Sequence, residues 1–196
     1  MTRVLVGFHG KLPNVGDFVQ RRLPASFVDA WDAAMQSALA TASAAIGETW
    51  RETFLASPSW RFALCTDVCD QLPWVGVVVP SYDRVGRVYP LVLAVSPPGA
   101  NDGWPQTPDN AWFDALDAAA GRTREGIDVS MFDALVAMLP DPVTSPTQRF
   151  PLVVDPGIGS LWWRGDQIKH GVALPGLPDA TDYLRLLGVD IDEVTA

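Results

Sequence analysis

Two apolar runs joined by a short polar turn set the tightest limit on how this chain can fold. Residues 74–79 read Trp-Val-Gly-Val-Val-Val, and residues 88–95 read Val-Tyr-Pro-Leu-Val-Leu-Ala-Val. Neither run alternates apolar with polar, so each is expected to be a central strand covered on both faces. A third β-rich segment, 60–65, precedes them as Trp-Arg-Phe-Ala-Leu-Cys. The links between these strands are too short for crossover helices, which favours antiparallel pairing. The turn itself, 80–90, carries Asp83, Arg84 and Arg87 between two prolines. Charges held beside buried strands need partners, because an unpaired buried charge is too costly to keep.

Helical periodicity is plain elsewhere. Phe27, Val28, Trp31, Met35, Leu39, Ala42 and Ile46 fall on one stripe, and Ser26 with Asp29 three residues later reads as a variant capping box. Gly47 is expected to break this helix, and 48–56 to form a shorter one with Trp50, Phe54 and Leu55 inward, stopped before Pro58. Thr107 and Pro108 read as the cap and first residue of a helix carrying Trp112, Phe113, Leu116 and Ala119 to about Gly121. Asp128 is read as the cap of another, with Met131, Phe132, Leu135, Met138 and Leu139 inward, and Asp179 as the cap of a last one running through Tyr183, Leu184 and Leu187 to Gly188. Residues 4–8 and 161–164 are further strand candidates, and 18–22 is read as extended. Segments 96–108 and 141–151 read as Pro-rich loops, 175–178 as a turn.

A chain of 196 residues, 48% hydrophobic and 19% charged, suits one globular domain spanning 1–196. The net charge of −9 is uneven: residues 1–100 carry eight acids and eight bases, residues 101–196 fifteen acids and six bases. No basic stripe is present, which argues against a nucleic-acid partner. No apolar run approaches the roughly 20 residues needed to span a bilayer, so membrane insertion is not expected. The N-terminus lacks a basic segment followed by an apolar one, so the expected location is cytoplasmic. Cys65 and Cys69 are spaced C-x-x-x-C, which is neither a zinc nor a thioredoxin spacing, and read as two free thiols.

The search for chemistry is short. The loop 10–17 has two glycines and Lys11, but Asp17 stands where a phosphate loop needs Lys and then Ser or Thr. The two histidines, His9 and His170, are not spaced for metal binding, and no G-x-S-x-G elbow occurs. No catalytic residue, metal or cofactor is expected. What stands out is a set of charges in apolar surroundings: Asp17, Arg21, Arg22, Arg61, Asp83, Arg84 and Arg87. They read either as ion pairs fastening loops to the sheet or as a recognition surface. A sensor or enzyme answering to an anion or nucleotide is the alternative, since clustered arginines can hold anions bidentately.

Several stretches together resemble a known family. Phe8-His9-Gly10-Lys11-Leu12-Pro13 with Gly16-Asp17-Phe18-Val19 is similar to the opening of the type VI secretion-associated TagF family, also called ImpM. Arg21-Arg22-Leu23-Pro24, Phe27-Val28, Trp31-Asp32, Pro58, Trp60-Arg61-Phe62-Ala63-Leu64 and Gly76 follow in the family's order. So do Pro80-Ser81, Asp83-Arg84-Val85-Gly86-Arg87, Pro90-Leu91 and the late Ser160-Leu161-Trp162-Trp163. The dense matches cover about residues 7 to 93. The resemblance implies an α/β (α+β) sandwich, longin-like, with a mainly antiparallel sheet between helices. It also implies a cytoplasmic, non-enzymatic accessory protein that restrains type VI secretion after translation by protein binding, notably to the forkhead-associated component of the apparatus. A structural subunit of the apparatus is a further alternative. Some relatives carry a fused phosphatase domain; no metal-binding Asp motif is seen here, and no phosphatase activity is expected.

Overall fold

The two apolar runs lie at the centre of a seven-stranded sheet. The computed structural model describes residues 4–101, 103–142 and 157–189. Its strands are β1 (Gly7–Gly10), β2 (Val19–Arg21), β3 (Trp60–Leu64), β4 (Trp74–Val79), β5 (Leu91–Val95), β6 (Ala100–Asn101), β7 (Trp104–Pro105), β8 (Ser160–Trp163) and β9 (Val172–Leu174). The main sheet has the order β2-β1-β5-β4-β3-β8-β9, and every pairing in it is antiparallel. Val77 stands opposite Leu93 in β5 and opposite Arg61 in β3. The second run enters the sheet only at Leu91, because Pro90 has no N–H for the ladder. Val88 instead makes an isolated bridge to Tyr82 across the turn.

Helices cover both faces, giving the α/β/α sandwich expected of the family. On one face lie α1 (Ala25–Ile46), α2 (Trp50–Ala56) and α5 (Ala180–Leu187); on the other lie α3 (Asn110–Gly121) and α4 (Val129–Ala137). The strands divide their side chains between these faces by simple alternation. Phe62, Leu64, Val92, Ala94 and Trp162 join the core beneath α1, whereas Ala63, Leu93, Leu161 and Trp163 join the core beneath α3. Trp31 of α1 is fully buried, stacked on Phe27 at 5.6 Å and tilted against Phe62 at 5.4 Å. Full burial of a side chain such as Phe62 contributes about 1.5–3 kcal/mol, so this aromatic layer is a main stabiliser of the α1 face.

Several local expectations are corrected. The first strand is Gly7–Gly10 and not 4–8, since its register is set by the β2 hairpin, with Gly10 opposite Val19. The capping box at Ser26 does not form: α1 starts after Pro24 with no side-chain cap, and the Ser26 hydroxyl donates to Asp70 at 2.8 Å. Asp109, not Thr107, caps α3 by accepting the Trp112 N–H at 2.9 Å. Asp128 and Asp179 do cap α4 and α5 as expected. Met131 and Met138 are 61% and 78% exposed, because the inner face of so short a helix is taken by Phe132 and Val136. The loop 96–108 contains the small β6–β7 hairpin, and β9 was not expected at all. Most of the loop 141–151 lies outside the described residues.

Candidate functional site

At one end of the sheet, the β1–β2 loop and the β4–β5 turn meet over the start of β5. The close approach depends on Gly10, whose φ is +139° and whose absent Cβ would sit 2.2 Å from the Pro90 carbonyl oxygen. The Ser81 hydroxyl donates to the Lys11 carbonyl at 2.7 Å, and the Arg84 N–H donates to the Val15 carbonyl at 2.9 Å. These bonds stitch the two loops together through their main chains.

Asp83 organises the turn. Its side chain has no solvent exposure, and one carboxylate oxygen accepts the N–H groups of Val85 and Arg87 at 3.1 and 2.9 Å. The other oxygen faces two cations, the Lys11 ammonium at 3.0 Å and Arg87 Nε at 2.7 Å. Arg87 then spans to the opposite loop, donating from its guanidinium to the Gly16 carbonyl at 2.8 Å. Gly86 supplies the left-handed residue, at φ +86°, that lets the chain curl around the carboxylate. Burial by itself would push the Asp83 carboxyl up, but the N–H groups, Lys11 and Arg87 outweigh it and hold the carboxyl well below the usual carboxylate range.

A second polar cluster lies beside this clasp. His9, 3% exposed within β1, bonds through Nε2 to Asp32 Oδ1 at 2.8 Å, and the Tyr89 hydroxyl donates to the same oxygen. Phe18 stacks on the His9 ring at 5.6 Å, meets Tyr89 edge-on at 4.8 Å and lies under the Lys11 ammonium at 5.2 Å. Burial pushes the Asp32 carboxyl up, yet the bonds from His9 and Tyr89 win and set it below its ordinary value. Burial and the Asp32 carboxylate together push the Tyr89 phenol far up, so it stays a donor.

The seven charged residues singled out in the sequence therefore do not form one cluster. Asp83 and Arg87 belong to the clasp, with Lys11 of the β1–β2 loop as a third member outside the seven. Arg61, 3% exposed in β3, points to the other face and ties the sheet to α3 through Asp114 and Asp117, the latter at 3.1 Å, with its guanidinium over the Phe113 ring at 5.3 Å. Arg22, at φ +61°, donates to the Val6 carbonyl at 2.7 Å and pairs with Asp133 of α4. Arg21 approaches the same carboxylate at 3.8 Å but is half exposed. Asp17 is exposed and, among the described residues, accepts only the N–H of its neighbour Phe18, at 2.8 Å. Arg84 is exposed; its guanidinium lies against Gly16, and among the described residues it has no hydrogen-bond or ion-pair partner.

The buried charges of the clasp neutralise one another, and its Arg87 is taken up by the Asp83 carboxylate and the Gly16 carbonyl. Among the described residues no group of three or more His, Cys, Asp or Glu could hold a metal ion. A cavity of about 30 Å³ beneath α5, lined by Met35, Trp60, Trp162 and Tyr183 among others, has room for about one water. Burial pushes the Cys65 and Cys69 thiols up to about 12, which makes both poor nucleophiles. Among the described residues no helix is long and apolar enough to cross a membrane.

Comparison with known proteins agrees with this architecture. A family model described as the TagF N-terminal domain, type VI secretion system-associated, matches residues 7–139. The match contains both loops of the clasp, the His9–Asp32–Tyr89 cluster and all of α1 to α4. The crystal structure of PA0076 from Pseudomonas aeruginosa PAO1 superposes with a TM-score of 0.77 at 32% sequence identity, covering 93% of each chain. No curated protein matches the chain. On the family match, and on motifs that fold into one continuous clasp-bearing sheet, this chain belongs to the TagF family of type VI secretion system-associated proteins.

Proposed function

We propose that this protein is a non-enzymatic accessory of type VI secretion that restrains the apparatus after translation by binding one of its components in the cytoplasm. The observation that carries the reading is the division of labour within one turn. Asp83, Lys11 and Arg87 satisfy each other inside, and the rigid turn they make holds Arg84 and Val85 out in solvent. A turn fixed from within and unengaged outside is what a recognition surface needs, since little ordering entropy is left to lose on binding. The partner that fits the family resemblance is the forkhead-associated regulatory component.

The test is calorimetric titration of the purified, folded chain into the purified forkhead-associated component, alongside secretion assays in cells that overproduce the chain. Saturable binding together with reduced secretion supports the reading. Absence of both, with the fold intact by circular dichroism, would overturn it.

A further inference from the structure

The rim of the clasp carries a combination that nothing in the fold consumes. Arg84 leaves its guanidinium without a partner among the described residues. Arg51 of α2 reaches the same turn, donating from Nε to the Gly86 carbonyl at 3.3 Å with its guanidinium over the Tyr82 ring at 5.9 Å. Arg87 is 63% exposed beyond its bonds to Asp83 and Gly16. Three guanidinium groups thus converge on residues 84–87 and Gly16. Val85, 68% exposed, stands among them, and Phe18, 42% exposed, lies on the adjoining β1–β2 loop under the Lys11 ammonium.

The local acids do not neutralise this rim. Asp83 takes up Arg87 and Lys11 beneath it but reaches neither Arg84 nor Arg51, and Asp17 turns its carboxylate to its own neighbour's N–H. Glu48 and Glu52 flank Arg51 in sequence, but among the described residues Arg51 has no ion pair. Exposed arginine forks match carboxylates bidentately, and Arg keeps its charge at any pH a cell reaches. An isolated exposed Val is ordinary; Val85 between Arg84 and Arg87, with Phe18 on the adjoining loop, supplies the apolar anchor that carboxylate contacts alone would lack.

We infer that this rim is the docking site for an acidic segment of the partner that carries a large apolar side chain, with Arg84 and Arg51 taking its carboxylates and Val85 and Phe18 its apolar residue. This rests on the reading of the chain as a binding protein, but it names a surface and a partner chemistry that can fail separately. Arg84 reads the ligand and Arg87 holds the turn, so the two arginines should behave differently on substitution. Arg84 can be changed without touching any bond of the fold.

The test uses the full chain, labelled with 15N, and two synthetic peptides of twelve residues. One alternates Asp or Glu with Leu, and the other has the same order with Asn and Gln in place of the acids. The acidic peptide should shift the amide signals of residues 16–18 and 84–87, and the amide peptide should leave them in place. Arg84→Glu should weaken the acidic peptide at least about tenfold while leaving the melting temperature unchanged, and raised salt should weaken it as well. Val85→Asp should weaken it through the anchor. Shifts elsewhere on the chain, equal response to both peptides, or full binding by Arg84→Glu would each overturn the inference. So would concentration-dependent dimerisation that Arg84→Glu abolishes, because the occupant would then be a second copy with its acidic second half. In parallel, the forkhead-associated component is titrated against the same variants. If wild type binds it and Arg84→Glu and Val85→Asp bind equally well, this docking site is wrong while the binding function stands. If the peptides mark the rim and the component does not bind, the named partner is wrong and the site stands.

Discussion

Replacing Asp83 with Asn removes one charge and almost no volume, and its effect follows from the geometry. The amide oxygen can still accept the Val85 and Arg87 N–H groups, at the 3.1 and 2.9 Å now seen. The amide nitrogen must then face the Lys11 ammonium and Arg87 Nε, which lie 3.0 and 2.7 Å from the present carboxylate oxygen. Flipping the amide only moves the clash, because its NH2 would then meet two backbone donors. Arg87 is well exposed and can turn to water, so its loss counts little. Lys11 is different: its side chain is 8% exposed, and its one other acceptor among the described residues, the Arg87 carbonyl, is a long 3.5 Å away. Leaving one buried member of an ion pair uncompensated costs about 3–5 kcal/mol. At about 2–4 °C per kcal/mol for a domain of this size, the melting temperature should fall by roughly 10 °C. Calorimetry or urea unfolding of Asp83→Asn measures this directly. Adding Lys11→Met to Asp83→Asn should recover part of the loss, because the stranded cation is then gone. A cost below about 1 kcal/mol for the single variant, or a double variant as unstable as the two losses added, would refute the reasoning.

Three further outcomes follow from the same geometry. Gly10→Ala should abolish folding or lower the melting temperature by more than Asp83→Asn does, since the new Cβ would lie 2.2 Å from the Pro90 oxygen at a φ of +139°; soluble yield and melts report it. Folding holds the Asp83 and Asp32 carboxyls below the ordinary 3.8, so their contribution is complete above that value and is lost as pH falls through the lower folded values; urea midpoints measured from about pH 5 down to about pH 2 should decline, and less steeply in Asp83→Asn. Cys65 and Cys69, pushed up to about 12, should react with iodoacetamide at pH 8 far more slowly than a free thiol, with equal rates after unfolding in urea; fast labelling of the folded chain would contradict their burial.

The strands were legible where hydrophobic content alone decides them. The runs at 74–79 and 91–95 became the sheet's centre because neither face offers a polar escape. The α1 stripe was equally plain: of the residues read as its inner face, only Ile46 at the end is not buried. Helix starts were read well at Asp128 and Asp179, and badly where Thr107 before Pro108 was preferred to the capping Asp109, or where a tertiary contact claimed the candidate, as with Ser26 and Asp70. The charged site was legible as residues but not as a grouping. Asp83 and Arg87 are four apart and could be paired by eye, whereas Lys11 lies seventy-two positions from Asp83 and enters only because β1 pairs with β5. Arg61 shares their charge and apolar surroundings in sequence, but strand alternation puts it on the opposite face, under α3. The one available hint for Lys11 was its type: a Lys in a Gly- and Pro-rich loop, in a chain whose other bases are nearly all Arg.

The central claim is that a clasp built from Asp83, Lys11 and Arg87 displays a rim used for protein binding. The most direct measurement is the dissociation constant for the forkhead-associated component of the wild-type chain and of Arg84→Glu, with melting temperatures recorded on the same samples. The account predicts saturable binding by wild type, at least about tenfold weaker binding by Arg84→Glu, and melting temperatures that agree. Arg84→Glu that binds the component as tightly as the wild type would contradict it.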